Sequence, residues 1–389
     1  MGKKRKIAVL LQLFQNFDQG IVRGIVTYAR ECRRWAIYIE EEQQHWLPDM
    51  KTWDGDGFIV NFDNRELARA VSSVRKPIVG IGGGRGWFNP RRGIPYVNTD
   101  NETIGLLAAE HLLSCGLRHF AFCGYPPTRS NVWVANRCRA FRKRLAQDGL
   151  DCCVFNGHYA DARQWDQIQI ELMGWLKTLP KPVGILACYD WRARHVIEAC
   201  DTLGLKIPDE VALIGVDNDM LLCEFTEPPL SSIEQGRFQI GYTAASLLDK
   251  MIDGDRPKEL IQHIPPVGLV ARQSTNLIAV TDPKIAEALQ FIREQACRGL
   301  QVTTVAERTG WSRATLDTRF KKAIGRTADM EIRRLKLEKA KELLTRSDLP
   351  LREVAREAGY ANEQYLCSVL HKHTRMTPLQ YRLKHQTHH

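Results

Sequence analysis

Several apolar strings in this chain end on side chains able to hydrogen-bond a small polar molecule from fixed directions. Asp190 follows "GILACY", and Asp217 with Asn218 follows "VALIGV". Gln235 stands in "SSIEQG", Arg137 in "VWVANRCRAF", and Gln12, Phe14, Phe17 and Asp18 cluster around the end of the first apolar run. Carboxylates, amides and a guanidinium bond neighbouring hydroxyls in pairs, and aromatic rings cover the apolar faces of a compact polyol. In open α/β sheets such groups belong at the carboxyl ends of strands, facing a crevice. The plainer reading is structural: Asp18, and Asp100 with Asn101, also stand where they can cap following helices, and Phe14 and Trp191 can be packing residues.

A second set lies near the C-terminus. The stretch "VTTVAERTGWSRATLDTRFKKAI" from Val302 loosely reappears as "LREVAREAGYANEQYLCSVLHKHT" from Leu351. A slide of 49 residues superimposes Val305 on Val354, Ala306 on Ala355, Gly310 on Gly359 and Trp311 on Tyr360. Each copy reads as a short helix, a glycine turn and a longer helix, at about 303–324 and 351–373. That is the helix-turn-helix pattern, whose second helix enters the DNA major groove.

With Leu316, Phe320 and Ala323 as a buried stripe, Ala314, Thr318 and Lys321 point outward on the first reading helix. On the second, Tyr365, Leu366, Val369 and Leu370 are expected inward and Gln364 and His371 outward, with Asn362 and Glu363 near its start. Gln or Asn pairs with adenine and Glu accepts from cytosine. Arg313, Lys322, Lys372 and Arg382 suit phosphates, which position a protein without specifying sequence.

Charge agrees with this division. Between Lys284 and Lys384 stand 21 of the 55 Lys and Arg but only 12 of the 45 Asp and Glu, so nearly all of the formal +10 lies in the last quarter. A basic segment carrying a repeated helical unit favours a polyanionic partner. No run approaches the ~20 apolar residues that span a bilayer, and the basic start leads into a strand-like run without a cleavage signal. The eleven cysteines are odd in number and scattered, with no C-x-x-C spacing, which suits reduced thiols in a cytoplasmic protein. "GIGGGRG" from Gly80 lacks the phosphate-loop lysine and reads as a glycine-rich strand end lining a cleft. His371 and His373, two apart on a helix, diverge and hold no shared metal. Neither a cofactor nor a catalytic triad is indicated.

The elements that must position these groups alternate over residues 6 to about 275. Apolar runs ("KIAVLLQL", "WAIYIEE", "GFIVNF", "PIVGIG", "HFAFCGY", "VGILACYD", "VALIGVDN") are separated by amphipathic stretches at Asn101–Cys115, Trp133–Asp148, Gln164–Thr178 and Arg192–Leu203. Wholly apolar strands between helices mean parallel sheets covered on both faces. The span is long for one layer, so two α/β lobes are expected. Beyond "TDPKIAEALQ", where Asp282 or Thr281 caps and Pro283 opens a helix, the pattern is helical throughout, with Met330–Ser347 linking the two copies. The expected domains are 1–276 and 277–389.

The motifs carry two family resemblances. The last ~105 residues resemble the DNA-binding domain of the AraC family, through Val354–Ala355, Gly359–Tyr360, Tyr365, His371–Lys372, Thr377–Pro378 and Tyr381–Arg382. Leu366 and Leu370 replace that family's usual phenylalanines, and Arg375 its usual glycine. This resemblance implies two reading helices roughly 34 Å, one DNA turn, apart. Residues 6–275 resemble the periplasmic-binding-protein-like sensor of LacI-type repressors, through "YVNTDNETIGLLAAEHLLSCGLRHFAFCG", "GILACYDWRARHVIEACDTLGLKIPDEVALIGVDND" and "LSSIEQGRFQIGYTAASLLDKMIDG". It implies two lobes joined by three crossings, a sugar in the cleft, and Arg137 at the position of the arginine that binds ligand hydroxyls. Together the resemblances imply a cytoplasmic, sugar-responsive activator of pentose-use genes. Its effector would be a xylose-like pentose, its partners a double-stranded operator and RNA polymerase, and its form a homodimer. A transport protein or a sugar-modifying enzyme leaves the duplicated helical unit unexplained.

Overall fold

The computed structural model describes residues 4–11, 16–39, 52–84, 86–87, 92–158, 165–257, 259–276, 282–347, 349–374 and 376–385. The chain forms two compact units, 1–277 and 278–389.

Unit 1 opens with β1 (Arg5–Leu10), α1 (Asn16–Cys32), β2 (Trp35–Ile39), β3 (Gly57–Asn61), α2 (Arg65–Ala70), β4 (Ile78–Gly82) and β5 (Tyr96–Thr99). There follow α3 (Asn101–Ser114), β6 (His119–Cys123), α4 (Val132–Ala146), β7 (Cys152–Phe155), α5 (Trp165–Thr178), β8 (Val183–Ala187) and α6 (Asp190–Leu203). The unit closes with β9 (Val211–Val216), α7 (Met220–Phe225), β10 (Ser231–Glu234), α8 (Arg237–Ile252), β11 (Ile261–Ile264) and β12 (Gly268–Val270). These strands make two six-stranded sheets, in the orders β11-β5-β4-β3-β1-β2 and β12-β10-β9-β8-β6-β7. All pairings are parallel except β10 with β12. Strands β3, β4, β8 and β9 are buried along their whole length, which is why they read as unbroken apolar runs.

Each sheet is the core of one lobe, and the chain crosses between lobes three times. It leaves β5 for α3, which packs on α4 and β8; it leaves β10 for α8, which packs on α1 and β3 to β5; and it leaves β11 for β12. The returning α8 is pinned by its buried Asp249, which accepts from Arg5 at 2.6 Å, Arg34 and Trp35 at 2.7 Å and Tyr28 at 2.9 Å. Burial alone would raise this carboxyl, but hydrogen bonds from Trp35, Tyr28 and Arg5 hold it below its ordinary value.

Unit 2 is all helix: α9 (Pro283–Gln295), α10 (Val302–Thr309), α11 (Arg313–Ile324), α12 (Ala328–Arg346), α13 (Leu351–Glu357), α14 (Glu363–Thr374) and α15 (Pro378–His385). Asp282 caps α9 and Pro283 fills its first turn. Of the two expected caps there, Thr281 lies outside the described residues. The helix α12 serves two cores. Its Ile332 and Leu335 join Leu316 and Phe320 of the first copy, while Leu337, Ala340 and Leu344 join Leu366 and Leu370 of the second. Fully burying such a leucine contributes ~1.5–3 kcal/mol. The fully buried Glu331 anchors the start of α12 by bonding Arg326 and Arg334.

Both turns need glycine. Gly310 and Gly359 have φ of 68° and 76°, the left-handed region that a side chain resists. Around Gly310 a Cβ would meet nothing, whereas at Gly359 it would lie 2.7 Å from the Cys297 carbonyl oxygen.

One expectation about the repeat is corrected. The 49-residue slide holds for the first helices but places Tyr365 opposite the buried Leu316. In the structure Leu366 and Leu370 are the fully buried pair matching Leu316 and Phe320, and Tyr365 is 48% exposed. The turn of the second copy is one residue longer, so the second helices match at 50. Their caps agree: Ser312 Oγ accepts the Thr315 N–H, and Asn362 Oδ1 accepts the Tyr365 N–H.

Candidate functional site

Three elements of the second lobe and the first two crossings converge on Arg137. The guanidinium leaves α4 almost fully buried and donates from Nε to Asn101 Oδ1 at 2.8 Å, from one terminal nitrogen to the Cys188 carbonyl at 2.6 Å, and from the other to Gln235 Oε1 at 3.1 Å. Asn101 opens α3 at the first crossing, and Gln235 stands at the second. Gln235 in turn donates to Asp217 Oδ1. Arg137 also stacks on Trp133 at 4.6 Å. A buried guanidinium is stable only when its donors are satisfied in this way.

Asp217 and Asn218 follow β9 with φ of 115° and 47°. Two consecutive non-glycine residues in that region store backbone strain of the kind that collects at functional sites. Burial raises the Asp217 carboxyl, opposed by Arg137. Asn218 is held from three sides: its N–H donates to Ser232 Oγ at 2.9 Å, its Nδ2 to Glu234 at 3.2 Å, and its Oδ1 accepts from Arg272 at 2.7 Å.

The first lobe contributes Asp18, buried in the first turn of α1, and Asp63, just beyond β3. Asp63 Oδ2 accepts the Gly83 N–H at 2.7 Å, while Oδ1 is buried with no hydrogen-bond partner among the described residues. The glycine run explains itself here: a Cβ at Gly82 or Gly86 would strike the Asp63 carboxylate, and one at Gly84 would strike the Trp133 backbone. These glycines fold the chain around a carboxylate and against the opposite lobe. Burial pushes Asp63 up to about 7, with Asp18 adding repulsion and the Gly83 N–H opposing. Together Asp18, Asp63, Asp217, Arg137 and Gln235 supply acceptors and donors from both lobes around strand ends, an arrangement that can bond the hydroxyls of a small polyol.

The sequence reading missed Asp63, Asn101 as a bonding partner, and Trp133. Only the glycine run hinted at the first. Phe17 is half-buried on α1, beside the core of the first lobe, and Gln12 and Phe14 lie outside the described residues.

Asp190 needs correction. It is fully buried, with Oδ1 accepting from Ser232 Oγ at 2.6 Å and Oδ2 from the Asp219 N–H at 2.8 Å and the Cys223 thiol at 3.5 Å. Gly215 makes room for it. These bonds brace the ends of β9 and β10 and turn the carboxylate toward Gly215, a structural role where the sequence reading expected a ligand contact. Burial, and then repulsion from Asp217, push it up to about 8.

In unit 2 the reading helices present Arg313, Ala314, Thr318, Lys321 and Lys322 on α11, and Gln364, His371 and Lys372 on α14, all exposed. Thr318 Oγ1 donates to the Ala314 carbonyl within its own helix. Glu363 is half-buried, and the oxygen of exposed Asn362 accepts the bond that caps α14. Arg382 is half-buried and donates to the Leu349 carbonyl at 2.7 Å, tying α15 to the loop before α13. No described helix is long and apolar enough to cross a membrane.

Comparison with known proteins places this geometry. A model described as "XylR N-terminal domain" matches residues 6–102, one described as "Periplasmic binding protein-like domain" residues 109–275, and one described as "Helix-turn-helix domain" residues 305–384. The xylose operon regulatory protein of Escherichia coli (strain K12) is 35% identical over 98% of this chain and 97% of its own length. Its namesake from Haemophilus influenzae is 33% identical over 97% and 98%. A solved xylose-binding transcription activator superimposes with a TM-score of 0.73 at 34% identity, covering 99% of both chains. These relatives are DNA-binding transcription regulators and not enzymes, and the chain belongs to their family, that of the xylose operon regulatory proteins.

Proposed function

We propose that the cleft of unit 1 takes a pentose, D-xylose in the first place, and that its occupancy sets how unit 2 engages an operator. The observation that carries this is the chain of bonds from Asn101 through Arg137 and Gln235 to Asp217, because it joins the strand ends to two of the three crossings. A sugar bonding Arg137 and Asp217 re-partners the residues on which the lobes turn. Its coupling to DNA binding is limited by its differential affinity for the two lobe arrangements, typically ~1–3 kcal/mol. The whole-length relatives named for xylose support the choice of sugar, and the xylose-binding activator supports activation over repression.

Activation implies contact with RNA polymerase in the cytoplasm. Pairing of two chains is supported by α7, whose Leu221 and Phe225 are 80% and 92% exposed, an apolar surface that a lone soluble chain does not favour.

The test is thermal stability against a panel of pentoses. D-xylose at 100 times its dissociation constant stabilises the protein by ~2.7 kcal/mol, and Asp217→Ala abolishes the shift. A response to ribose or arabinose alone would reject xylose, and no response to any pentose would reject the cleft reading.

A further inference from the structure

The second reading helix forms one wall of a groove that base reading does not require. Its cavity volume is about 1780 Å³, and Gln364, Tyr365, Ser368 and Lys372 of α14 line it along a single helical stripe. Across from them stand Arg333, Lys336 and Lys341 of α12, with Arg352 and Arg356 of α13 and Arg298 closing the rim.

The cations of this groove fall into two classes. Arg333 is paired with Asp329 at 2.9 Å, Lys341 with Glu338 at 2.9 Å, Arg356 with Glu353 at 2.7 Å, and Arg326 and Arg334 with Glu331. Arg298, Lys336, Arg352 and Lys372 have no ion pair among the described residues. Unpaired cations gathered on one concave surface, continuous with the exposed face of a reading helix, suit a linear polyanion that passes beside the bases being read. A duplex offers that: a helix seated in the major groove is flanked by a sugar-phosphate strand.

We infer that this groove holds the sugar-phosphate backbone of one DNA strand next to the segment read by α14, with Arg298, Lys336, Arg352 and Lys372 as its phosphate contacts. The inference rests on unit 2 being a DNA reader and assigns it a surface beyond the reading helices. Tyr365, which lines the groove and is half-exposed, would lie between backbone and bases.

The experiment titrates the full chain onto two duplexes of equal length, one mixed in sequence and one A·T-only, from about 50 to 200 mM salt. Each phosphate contact contributes about 0.9 to the slope of log K against log salt. The double variant Arg298→Gln/Lys336→Gln is therefore expected to make the slope shallower by about 1.8. It should weaken both duplexes by the same factor, with helix content by circular dichroism unchanged. Wild-type slope and affinity in the variant would overturn the groove while leaving DNA reading intact. Loss confined to one duplex would also overturn it, since that is base discrimination. If wild type bound neither duplex, the reader assignment itself would fall. Binding of an acidic peptide, with DNA affinity unchanged in the variant, would assign the groove to a protein partner and overturn the inference.

Discussion

In the cleft, Arg137 is buried and every one of its arms is bonded to Asn101, Cys188 or Gln235. On α11 and α14, the side chains of Lys321, Lys322, Gln364, His371 and Lys372 are exposed and bonded to no other described residue. The difference follows from the two partners. A small neutral ligand brings few contacts, so its site must be desolvated and held in place beforehand, or binding loses its gain to ordering. A duplex brings a dense row of charge, and affinity comes from releasing its counterions. Cations serve that purpose best when the protein leaves them unpaired.

The contrast predicts where substitutions are felt. Arg137→Ala strands Asn101, Gln235 and Asp217 in the interior and is expected to lower the unfolding free energy by about 3–5 kcal/mol in urea titrations. A loss below 1 kcal/mol would mean that the cleft is far wetter than the bonding shows. Gln364→Ala is expected to leave urea stability within about 0.5 kcal/mol of wild type. It should cost about 1–3 kcal/mol of preference for one base over its alternatives. A destabilisation rivalling that of Arg137→Ala would erase the distinction between the two units.

A pH titration sharpens the buried side of the comparison. Burial holds Asp63 protonated up to about 7 and Asp190 up to about 8, against ~3.9 in an unfolded chain. Between those values these two carboxyls bind protons in the folded protein that the unfolded chain has released, so their contribution to stability falls as pH rises from 5 to 8, while buried His195, held down to about 4, contributes in the opposite sense up to about pH 6.5. Asp249, held low by hydrogen bonds from Trp35, Tyr28 and Arg5, and Glu331, held low by Arg334 and Arg326, both despite burial, lose their contribution only on acidification below about pH 4.5, outside that window. Asp63→Asn should flatten the decline between pH 5 and 7, and an unchanged profile would show that Asp63 is ionised throughout. The smallest effect is expected of Lys372→Ala, which should reduce the salt slope of DNA binding by about one on every sequence.

How much of this was legible in the sequence depends on burial. Strands such as β4, β8 and β9 announce themselves because both faces are covered and no residue is polar. Strand β10 does not, because its buried Ser231 and Ser232 are matched to Thr275 and Asp190 only by the tertiary fold. Asp217 and Gln235 were named from residue type at strand ends, and Arg137 from the resemblance of its helix to LacI-type sensors; the three form one bonded chain. Asp63 was not, since its setting depends on a glycine turn that returns from 20 residues away. Asp190 had the right type and position, yet its carboxylate turns toward Gly215, a direction that composition and spacing do not encode. Tyr365 was misplaced for a simpler reason: one additional turn residue rotates the face of the second helix relative to the first.

The contact between Gly359 and the Cys297 carbonyl bears on promoter architecture. Because backbone meets backbone there, the second helix-turn-helix rests directly on the end of the first helical bundle, and α12 joins both cores. This packing predicts that the pair acts on DNA as a fixed caliper. A spacer lengthened by about five base pairs, half a turn of B-DNA, would carry the second box to the far side of the duplex, where a caliper that cannot open has no means of following.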